Sequence, residues 1–479
     1  MNFLDVIKSN EFLKRAYDFS RYAHLGQKRK NGEPYFNHCL AAAETISTWG
    51  LDEVSIASAL LHDVIDDTKY SLEDIKKEFG EEVAFLVDGV TKISRIKYRG
   101  IETEIENLRK MILALSEDLR VILIKLADRL HNLRTLESLP PFKQKRIALE
   151  TMEIYAPLAY RLGMQKLSGE MEDLSFKYIY PQENEWLKKN VLDCYEAREK
   201  YLEKVKPIIL GEMKNMNLES VLIESRAKRY SSLYKKLLRY DMDIEKIYDL
   251  VAIRIIMKNI ADCYATLGIV HKLWPPLPNR IKDYIALPKP NGYRSLHTTV
   301  FCLDKKIIEI QIRTEEMHKE NEYGIAAHWA YENFKGTKKY TAGLASYASK
   351  KELAWVSQLS VWQKTYNNDP VEFLESLKID FFKDRIFAVT PRGEVIDLPV
   401  GATPVDFAYQ IHSTIGNECV GAKINGRLVA LHHELRSGDV VEILTQKGKK
   451  PSVSWLDFVK TSGARSQIKA YIRRKRTLR

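Results

Sequence analysis

The sequence lacks the hallmarks of membrane and secreted proteins. It contains no run of about 18 apolar residues, the length that a membrane helix needs. Its first ten residues include Asp5 and Lys8 and contain no signal-peptide core, so we expect no membrane association. It is also poor in cysteine, and no two cysteines form a Cys-x-x-Cys pair: Cys39, Cys194, Cys263, Cys302 and Cys419. This spacing excludes a disulfide framework and a zinc ribbon, and it predicts free thiols in a reducing, cytoplasmic setting.

What is present is typical of a folded protein with several domains. Hydrophobic residues make up 45% and charged residues 29% of the 479 residues. At about 150 residues per domain, this length predicts about three domains. Lys and Arg number 75 against 64 Asp and Glu, a net charge of +11, which favours anionic partners such as nucleotides or RNA.

Residues 1–200 carry long apolar segments with helical spacing and little strand-like alternation. Ser71 and Asp74 predict a capping box at the start of a helix. Residues 165–225 are also predicted to be helical, with a break at Tyr180-Pro181. Residues 335–370 are rich in Lys, Gly, Ser and Ala, which indicates a linker.

The remaining segments predict sheets. Residues 247–257 form an almost continuous apolar run, as in a buried central strand. Residues 307–313 alternate strictly, with isoleucines on one face and polar side chains on the other. Residues 384–446 predict a small β-grasp-like module, with a hairpin turn at Asn425-Gly426.

The helical block contains four side chains of the types that bind divalent metals: His38, His62, Asp63 and Asp128. Asp128 begins a polar stripe, with Asn132 and Thr135 at i+4 and i+7, on an otherwise apolar helix. Burying a carboxylate without a partner is costly, so the stripe favours a site. Two imidazoles and two carboxylates suit Mn²⁺, whose open positions would lower the pKa of a water. By itself, the His62-Asp63 pair could equally be the surface of a helix.

These residues, together with the segment QKRKNGEPY and the motif DRLHNLRT, resemble the HD phosphohydrolase superfamily. The closer resemblance is to the hydrolase domain of Rel/SpoT-type alarmone enzymes, which remove the 3′-pyrophosphate from (p)ppGpp. It implies that the four side chains bind Mn²⁺, that Arg29, Asn132 and Thr135 bind the nucleotide, and that Asp66 and Asp67 orient or activate the attacking water. The family usually has Glu-Asp where this chain has Asp66-Asp67, a side chain one methylene shorter.

A second constellation lies in the α/β block. Asp249 interrupts the first apolar strand, and Glu309 lies on the polar face of the alternating strand. Carboxylates on neighbouring strands commonly hold Mg²⁺ against nucleotide phosphates. Glu309 alone could instead be an exposed strand residue. Flanking cations meet the need of phosphoryl-type transfer for charge neutralisation, although any one of them could be a solvated side chain.

Residues 280–297 (RIKDYIALPKPNGYRSLH), with YDLVAIR, IEIQIRT and YGIAAHWAY, resemble the (p)ppGpp synthetase domain of the same family. The resemblance implies transfer of the β,γ-pyrophosphate of ATP to the 3′-oxygen of GDP or GTP. It assigns Mg²⁺ and catalysis to Asp249 and Glu309, with Glu309 also a candidate base. It assigns nucleotide binding to six residues: Arg226, Lys228, Arg254, Lys282, Tyr293 and His297. Tyr293 would stack on guanine, and Arg226 and Arg254 would lie on the adenine and phosphate side. The basic R-x-K-D sequence of residues 280–283 is associated with bifunctional members.

Residues 384–446 resemble the TGS domain of long Rel/SpoT proteins, in which a histidine meets the 3′ end of uncharged tRNA on the ribosome. His412 occupies that position, although without the resemblance it would be a surface or partly buried histidine. Long members continue beyond this point, so the chain resembles a short form that ends after the TGS domain.

The resulting fold prediction is a multidomain chain with six segments: an all-α HD-type hydrolase domain (1–165), a helical linker and coupling region (166–220), an α/β nucleotidyltransferase-like synthetase domain (221–335), a linker and helical segment (336–383), a small α+β β-grasp TGS domain (384–447) and the start of a helical region (448–479). The predicted function is that of a bifunctional enzyme, a GTP pyrophosphokinase and a guanosine-3′,5′-bis(diphosphate) 3′-diphosphatase. Two alternatives stay open. One is a synthesis-only enzyme whose hydrolase domain is a regulatory scaffold, and the other is a tRNA- or ribosome-binding regulator with secondary catalysis. The preference for GDP or GTP and the oligomeric state are also open.

Overall fold

The computed structural model describes residues 2–94, 117–247, 249–278, 280–289, 291–327 and 385–477. Its described residues fall into two compact units, one containing those up to residue 327 and one containing residues 385–477. The predicted linker of residues 336–383 lies outside the described residues. No helix among the described residues is long and apolar enough to cross a membrane.

The first part of the larger unit is helical, as predicted. Its helices are α1 (Phe3–Ser9), α2 (Glu11–Ala23), α3 (Phe36–Thr48), α4 (Glu53–Leu61), α5 (Val64–Asp67), α6 (Leu72–Phe79), α7 (Glu81–Ser94) and α8 (Leu119–Arg134). The capping box of Ser71 and Asp74 is present at the start of α6, which confirms that prediction. The His62-Asp63 pair does not lie on the surface of a helix, because α4 ends at Leu61 and α5 begins at Val64. His62 and Asp63 therefore lie at a junction, where the chain can turn both side chains inward.

The next helices lead from this part to the sheet. They are α9 (Pro141–Glu150), α10 (Ala156–Arg161), α11 (Gln165–Ile179) and α12 (Pro181–Asn215). A π-helical turn, Thr151–Tyr155, joins α9 to α10. The Arg129 guanidinium lies 4.2 Å from the centre of the Tyr155 ring and 3.0 Å from Glu150 Oε1. The predicted break at Tyr180-Pro181 is confirmed, since α11 ends at Ile179 and α12 begins at Pro181.

A five-stranded sheet of order β1-β2-β5-β4-β3 follows. Its elements are β1 (Leu222–Ala227), α13 (Tyr230–Leu237), β2 (Val251–Met257), α14 (Ile260–Leu273), β3 (Lys282–Asp283), β4 (Leu296–Phe301), β5 (Ile307–Thr314) and α15 (Glu315–Tyr323). Strand β2 pairs with β5 in parallel, and the other pairs are antiparallel.

One predicted helical segment and one predicted strand were wrong in their bounds. The end of the segment expected to be helical, residues 222–225, belongs to β1, because antiparallel pairing with β2 overrides a weak local pattern. The run at 247–257 becomes a strand only from Val251. Ile247 and Leu250 are buried in a cluster with Phe176 and Leu187 instead of in the sheet. Asp249 therefore lies before β2 and does not interrupt it.

The isoleucines of β2 and β5 pack with apolar residues of α12 and α14 on one side of the sheet. This confirms the predicted apolar face of residues 307–313. The opposite face of the two strands carries polar side chains that are not solvated: Gln311 is 8%, Arg254 6% and Arg313 1% exposed. Burial of so many polar groups indicates a site on this face.

The smaller unit has the predicted α+β pattern. Its elements are β6 (Arg385–Val389), β7 (Val395–Pro399), α16 (Pro404–Ile411), α17 (Ser413–Asn417), β8 (Cys419–Ile424), β9 (Arg427–Val429), β10 (Val441–Thr445) and α18 (Ser462–Thr477). Asn425 and Gly426 have φ of 51° and 81°, as the predicted two-residue hairpin turn requires. A parallel bridge between Val389 and Val440 connects the β6-β7 pair to the β10-β8-β9 sheet.

Candidate active sites

The four predicted metal ligands converge in the helical part of the larger unit. His38 Nε2 lies 3.4 Å from Asp63 Oδ2 and 3.2 Å from Asp128 Oδ1. His62 Nε2 lies 3.2 Å from Asp63 Oδ2 and 4.0 Å from Asp128 Oδ1. The side chains of His38, His62 and Asp128 are almost fully buried, and that of Asp63 is 14% exposed. Residues from α3, α8 and the α4–α5 junction thus meet at one point.

Both imidazoles are oriented as metal ligands are. His62 Nδ1–H donates to Ala59 O at 2.8 Å, which turns Nε2 toward the carboxylates. Burial lowers the pKa of His62, but Asp63 and Asp128 outweigh it and raise the pKa to about 9, so an ion bound at Nε2 would replace a proton. That buried atom faces Asp63 without the geometry of a hydrogen bond. An orphaned nitrogen in a set of two imidazoles and two carboxylates fits a borderline divalent ion. The ligand assignment itself stays a prediction.

Asp128 is held in its charged form by a residue that the sequence reasoning missed. Burial alone would raise the pKa of Asp128, but Lys125 and the two histidines keep it well below its usual range. Lys125 Nζ donates to Asp128 Oδ2 at 2.6 Å, and Asn132 Nδ2 donates to Oδ1. The available signal was a lysine in a helix that otherwise looked buried.

The three predicted nucleotide-binding residues of this site also lie together. Arg29 Nη2 donates to Asn132 Oδ1 at 2.5 Å, and Arg29 Nη1 donates to Thr135 Oγ1 at 3.2 Å. Arg29 Nη1 and His38 Nδ1 both approach His131 Nδ1, at 3.0 and 2.8 Å. This nitrogen must therefore accept, and burial together with the charges of His38 and Arg29 lowers the pKa of His131 to about 4. The sequence reasoning missed His131, which connects a ligand candidate to the nucleotide group.

Asp66 and Asp67, the predicted water-activating pair, are exposed. The Tyr35 hydroxyl lies 2.7 Å from Asp67 Oδ2 and 2.9 Å from Asp63 Oδ2, so its single proton is shared between the two carboxylates. Burial and the Asp63 carboxylate raise the pKa of Tyr35 far above its usual value, which keeps the hydroxyl protonated. Tyr35, also missed, therefore ties Asp67 to the metal-ligand set.

On the polar face of the sheet, Asp249 lies between two lysines. Lys228 Nζ and Lys236 Nζ each lie 2.6 Å from one of its carboxylate oxygens. Burial alone would raise the pKa of Asp249, but the two lysines outweigh it and bring the pKa to about 2. The carboxylate is therefore charged, and the two lysines neutralise it.

Glu309 and His297 form a second group beside it. His297 Nδ1 lies 3.3 Å from Glu309 Oε1, Gln311 Nε2 donates to Glu309 at 2.8 Å, and the Tyr293 hydroxyl contacts His297 Nε2 at 2.7 Å. Burial raises the pKa of Glu309, whereas His297 and Gln311 lower it, to about 2. Asp249 acts in the opposite direction on Glu309, so the two carboxylates are close enough to influence each other.

Three arginines share the same face: Arg226 on β1, Arg254 on β2 and Arg313 on β5. Arg254 pairs with Glu224 at 2.7 Å, yet the buried Nε atoms of Arg254 and Arg313 have no partner among the described residues. Burial, together with repulsion from Arg254 and Arg226, lowers the pKa of Arg313 to about 10, against the influence of Tyr293. Clustered guanidinium groups with unmet donors fit a polyphosphate. Arg313, one of the polar side chains of the alternating segment 307–313, was missed as a site residue.

The predicted base-stacking residue, Tyr293, is only 5% exposed. Lys289 Nζ lies 4.9 Å from the centre of its ring, and the Arg313 guanidinium lies 5.5 Å from it. A guanine base would have to displace Lys289 to stack there. Lys282 is exposed on β3, where it pairs in register with His297.

His412 lies between α16 and α17 in the smaller unit. It is exposed, and its Nδ1 accepts a hydrogen bond from Thr414 N at 3.2 Å, so it caps α17. This geometry accounts for the histidine without tRNA, and the proposed tRNA contact stays a prediction.

Three known domain families match the chain in sequence order. Residues 16–165 match the HD domain, residues 225–336 match the region found in RelA/SpoT proteins, and residues 386–445 match the TGS domain. The first two contain the two clusters of side chains described above.

Curated relatives match nearly the whole chain. The GTP pyrophosphokinase of Myxococcus xanthus is 47% identical over 97% of this chain and 60% of its own length. The guanosine-3′,5′-bis(diphosphate) 3′-pyrophosphohydrolase of Aquifex aeolicus is 47% identical over 97% of this chain and 65% of its own length. The bifunctional (p)ppGpp synthase/hydrolase RelA of Mycobacterium tuberculosis is 46% identical, over 97% and 63%. The chain thus spans less than two thirds of the length of these relatives. In its three domains, their order and these relatives, the chain is similar to Rel/SpoT proteins over 97% of its length.

Proposed function

We propose that the chain both makes and degrades (p)ppGpp, the alarmone of the stringent response. The observation that carries the proposal is the pairing, in one compact unit, of a buried His/Asp cluster with an Asp/Glu pair set among lysines and arginines. The names of the relatives, which cover both reactions, support it. An HD domain implies dependence on a divalent metal, and we propose Mn²⁺ for hydrolysis and Mg²⁺ for synthesis.

In the proposed hydrolysis, His38, His62, Asp63 and Asp128 would hold the ion. When bound, a divalent ion supplies Lewis-acid chemistry, because it polarises a phosphoryl oxygen and lowers the pKa of a water. Arg29 would bind the phosphates, with Asn132 and Thr135 orienting its guanidinium. Asp67, held by Tyr35, and Asp66 would accept the proton of the attacking water.

In the proposed synthesis, Asp249 and Glu309 would hold Mg²⁺ beside the triphosphate of ATP. Lys228 and Lys236 would turn from Asp249 toward the phosphates when the ion binds. The arginine cluster would neutralise the pyrophosphoryl group, which is the main demand of this reaction. Glu309, whose pKa is about 2, is charged and could orient the 3′-hydroxyl of GDP or GTP.

The proposal extends to setting and partners. We place the enzyme in the cytoplasm, since its substrates are nucleotides and its cysteines are free thiols. The TGS domain supports binding of uncharged tRNA or the ribosome, with His412 as a candidate contact.

Paired assays with matched variants test the proposal. The chain is incubated with ATP, GTP and Mg²⁺ to measure alarmone synthesis, and with ppGpp and Mn²⁺ to measure pyrophosphate release. We expect Asp249→Asn to lose about 100-fold or more of synthesis and to keep hydrolysis, and Asp63→Asn to do the reverse. Synthesis that survives in Asp249→Asn would refute the synthetase site.

The shorter side chain of Asp66 favours the alternative of a synthesis-only enzyme. The Asp66→Glu variant distinguishes the bifunctional enzyme from the synthesis-only enzyme. A catalytic carboxylate that is misplaced by about 1 Å can reduce the rate on the order of 100-fold. If the wild type does not hydrolyse ppGpp and the Asp66→Glu variant does, the synthesis-only alternative is supported. Efficient hydrolysis by the wild type would rule it out.

A further inference from the structure

A buried thiol lies beside the candidate hydrolase metal centre and has no role in the proposed reaction. Cys39 is 0% exposed and follows the ligand candidate His38 on α3. One possible ligand atom from each of Cys39, His62 and Asp63 lies within 4.8 Å of the other two. These three residues therefore form a second possible ligand set, which shares two members with the first.

A buried nitrogen outside this set of three faces the thiol. His24 Nε2 lies 3.8 Å from Cys39 Sγ. Gln27 Nε2 donates to Asp67 O at 2.6 Å, so its Oε1 must be the atom that accepts from His24 Nδ1 at 2.8 Å. With the proton on Nδ1, His24 Nε2 carries a lone pair toward Cys39. His24 is itself 2% exposed, so this nitrogen is buried.

We propose that Cys39, His24, His62 and Asp63 form a zinc site that competes with the hydrolase metal centre. Zn²⁺ favours four ligands of this kind, with Zn–S of about 2.3 Å and Zn–N of about 2.0 Å. A thiolate selects a softer ion than Mn²⁺, which prefers oxygen and nitrogen ligands. As the Zn–S bond forms, the thiol proton passes to solvent, and the thiolate and carboxylate neutralise the buried ion.

The two sites exclude each other, because His62 and Asp63 cannot serve both ions. A site with four protein ligands has no open position for water or substrate, as in structural zinc sites. Zinc at Cys39 therefore blocks hydrolysis. This effect on hydrolysis rests on the proposed function, whereas zinc binding itself does not.

Cobalt serves as a spectroscopic substitute for zinc in the full chain. We expect one equivalent of Co²⁺ to give a thiolate-to-cobalt charge-transfer band in the near ultraviolet, and zinc to displace it. Cys39→Ser should abolish the band, whereas Cys194→Ser, at a half-buried cysteine on α12, should keep it. A band that is absent from the wild type, or that persists in Cys39→Ser, would overturn the proposal.

X-ray absorption at the zinc edge needs no variant, so it decides the question even if Cys39→Ser does not fold. One sulfur scatterer at about 2.3 Å is expected, and a shell of only nitrogen and oxygen would overturn the proposal.

Zinc inhibition of manganese-supported hydrolysis gives the functional readout, with each protein normalised to its own rate without zinc. Half-inhibition of Cys39→Ser should need at least about tenfold more zinc than the wild type. If zinc inhibits Cys39→Ser and the wild type equally, zinc binds at the manganese ligands alone, and the proposed competing site is refuted. If the wild type does not hydrolyse ppGpp at all, the proposed function fails, and the cobalt and absorption measurements still decide the zinc site.

Discussion

Burying a lysine beside a candidate metal ligand lowers the stability of the fold unless the charge of the lysine has a role in the site. Lys125 and Asp128 are 8% and 4% exposed, and their ion pair lies within an apolar helix. Taking two charges out of water costs several kcal/mol per ion, which good geometry only partly offsets. The pair is explained by Lys125 keeping the Asp128 carboxylate ionised until an ion arrives.

Replacing Lys125 tests this explanation. Lys125→Met leaves Asp128 buried without its cation and should lower the free energy of unfolding by about 3–5 kcal/mol. Added Mn²⁺ should recover much of that loss, because the ion replaces the missing charge. Urea unfolding with and without Mn²⁺ measures both effects.

The control is Lys92→Met, which removes an exposed i,i+4 pair with Asp88. It should cost less than about 1 kcal/mol and show no added response to Mn²⁺. If Mn²⁺ stabilises Lys125→Met no more than the wild type, the explanation is wrong.

Lys289 provides a pH-dependent test on the synthetase face. Burial, aided by Lys282, lowers the pKa of Lys289 from 10.5 to about 8, against the influence of Glu309. Between these two values the unfolded chain binds a proton that the folded chain does not, so the stability of the wild type rises with pH. Below pH 8 both states are charged, and the folded state carries the full desolvation penalty.

The difference in unfolding free energy between the wild type and Lys289→Met should therefore move in favour of the wild type from about pH 8 to about pH 10.5. Urea melts of both proteins across this range measure it. A difference that stays constant with pH would mean that Lys289 titrates normally.

Sequence spacing was enough to find His38, His62, Asp63 and Asp128, but not the side chains that orient them. His131 contacts His38 across 93 positions, and Tyr35 contacts Asp63 across 28. Such pairs arise only when α3, α8 and the α4–α5 junction pack together, which local patterns do not encode.

At the scale of elements, strong patterns were predictable and weak ones were not. The alternation of β5, the capping box of α6 and the Asn425-Gly426 turn depend on neighbouring residues, and all three are present. Strand β1 is half-exposed, and its pairing with β2 decides its structure. The start of β2 was misplaced because Ile247 and Leu250 are buried against helices rather than in the sheet.

The end of α15 shows how closely two elements approach. Gly324 has φ of 55°, and a Cβ built on it would lie 2.2 Å from Leu162 O, the carbonyl that accepts from Ile325 N at 2.9 Å. Gly324→Ala must push this backbone apart and should cost several kcal/mol, measured by urea unfolding.

The matched control is Gly268→Ala in the interior of α14, where an added Cβ meets nothing within 4 Å. It should stabilise the protein by about 0.5–1 kcal/mol. Equal effects of the two substitutions would show that the contact at Gly324 is not tight.

At the scale of the whole molecule, the helical part and the sheet of the larger unit meet through α11 and the turns beside it. Asp173 on α11 accepts from Ser231, and Glu170 pairs with Arg134, the neighbour of Thr135. The turn that carries Tyr293 is connected too, since Asn291 Nδ2 donates to Tyr160 O at 3.3 Å. These contacts support our hypothesis that the two sites influence each other, with the segment around residues 166–220 as the coupling region.

Asn291→Ala tests the connection between the sites. A non-hydrolysable ATP analogue with GDP should change the rate of ppGpp hydrolysis by the wild type, and the variant should reduce that change by about two- to thirtyfold. Asn190→Ala, which removes an exposed hydrogen bond within α12, is the control and should leave the effect intact. A wild-type hydrolysis rate that does not respond to the nucleotides would refute the coupling.

The π-helical turn at Thr151–Tyr155 sets how this arrangement responds to a change in chain length. Such a turn absorbs one residue more than an α-helix would, so deleting one residue from it should leave a regular helix with Tyr160 still facing Asn291. A second deletion has no extra residue to remove, and it would rotate everything after it by about 100°. Loss of two codons here, but not of one, would therefore uncouple the two halves of the unit while every side chain of both sites remained in the gene.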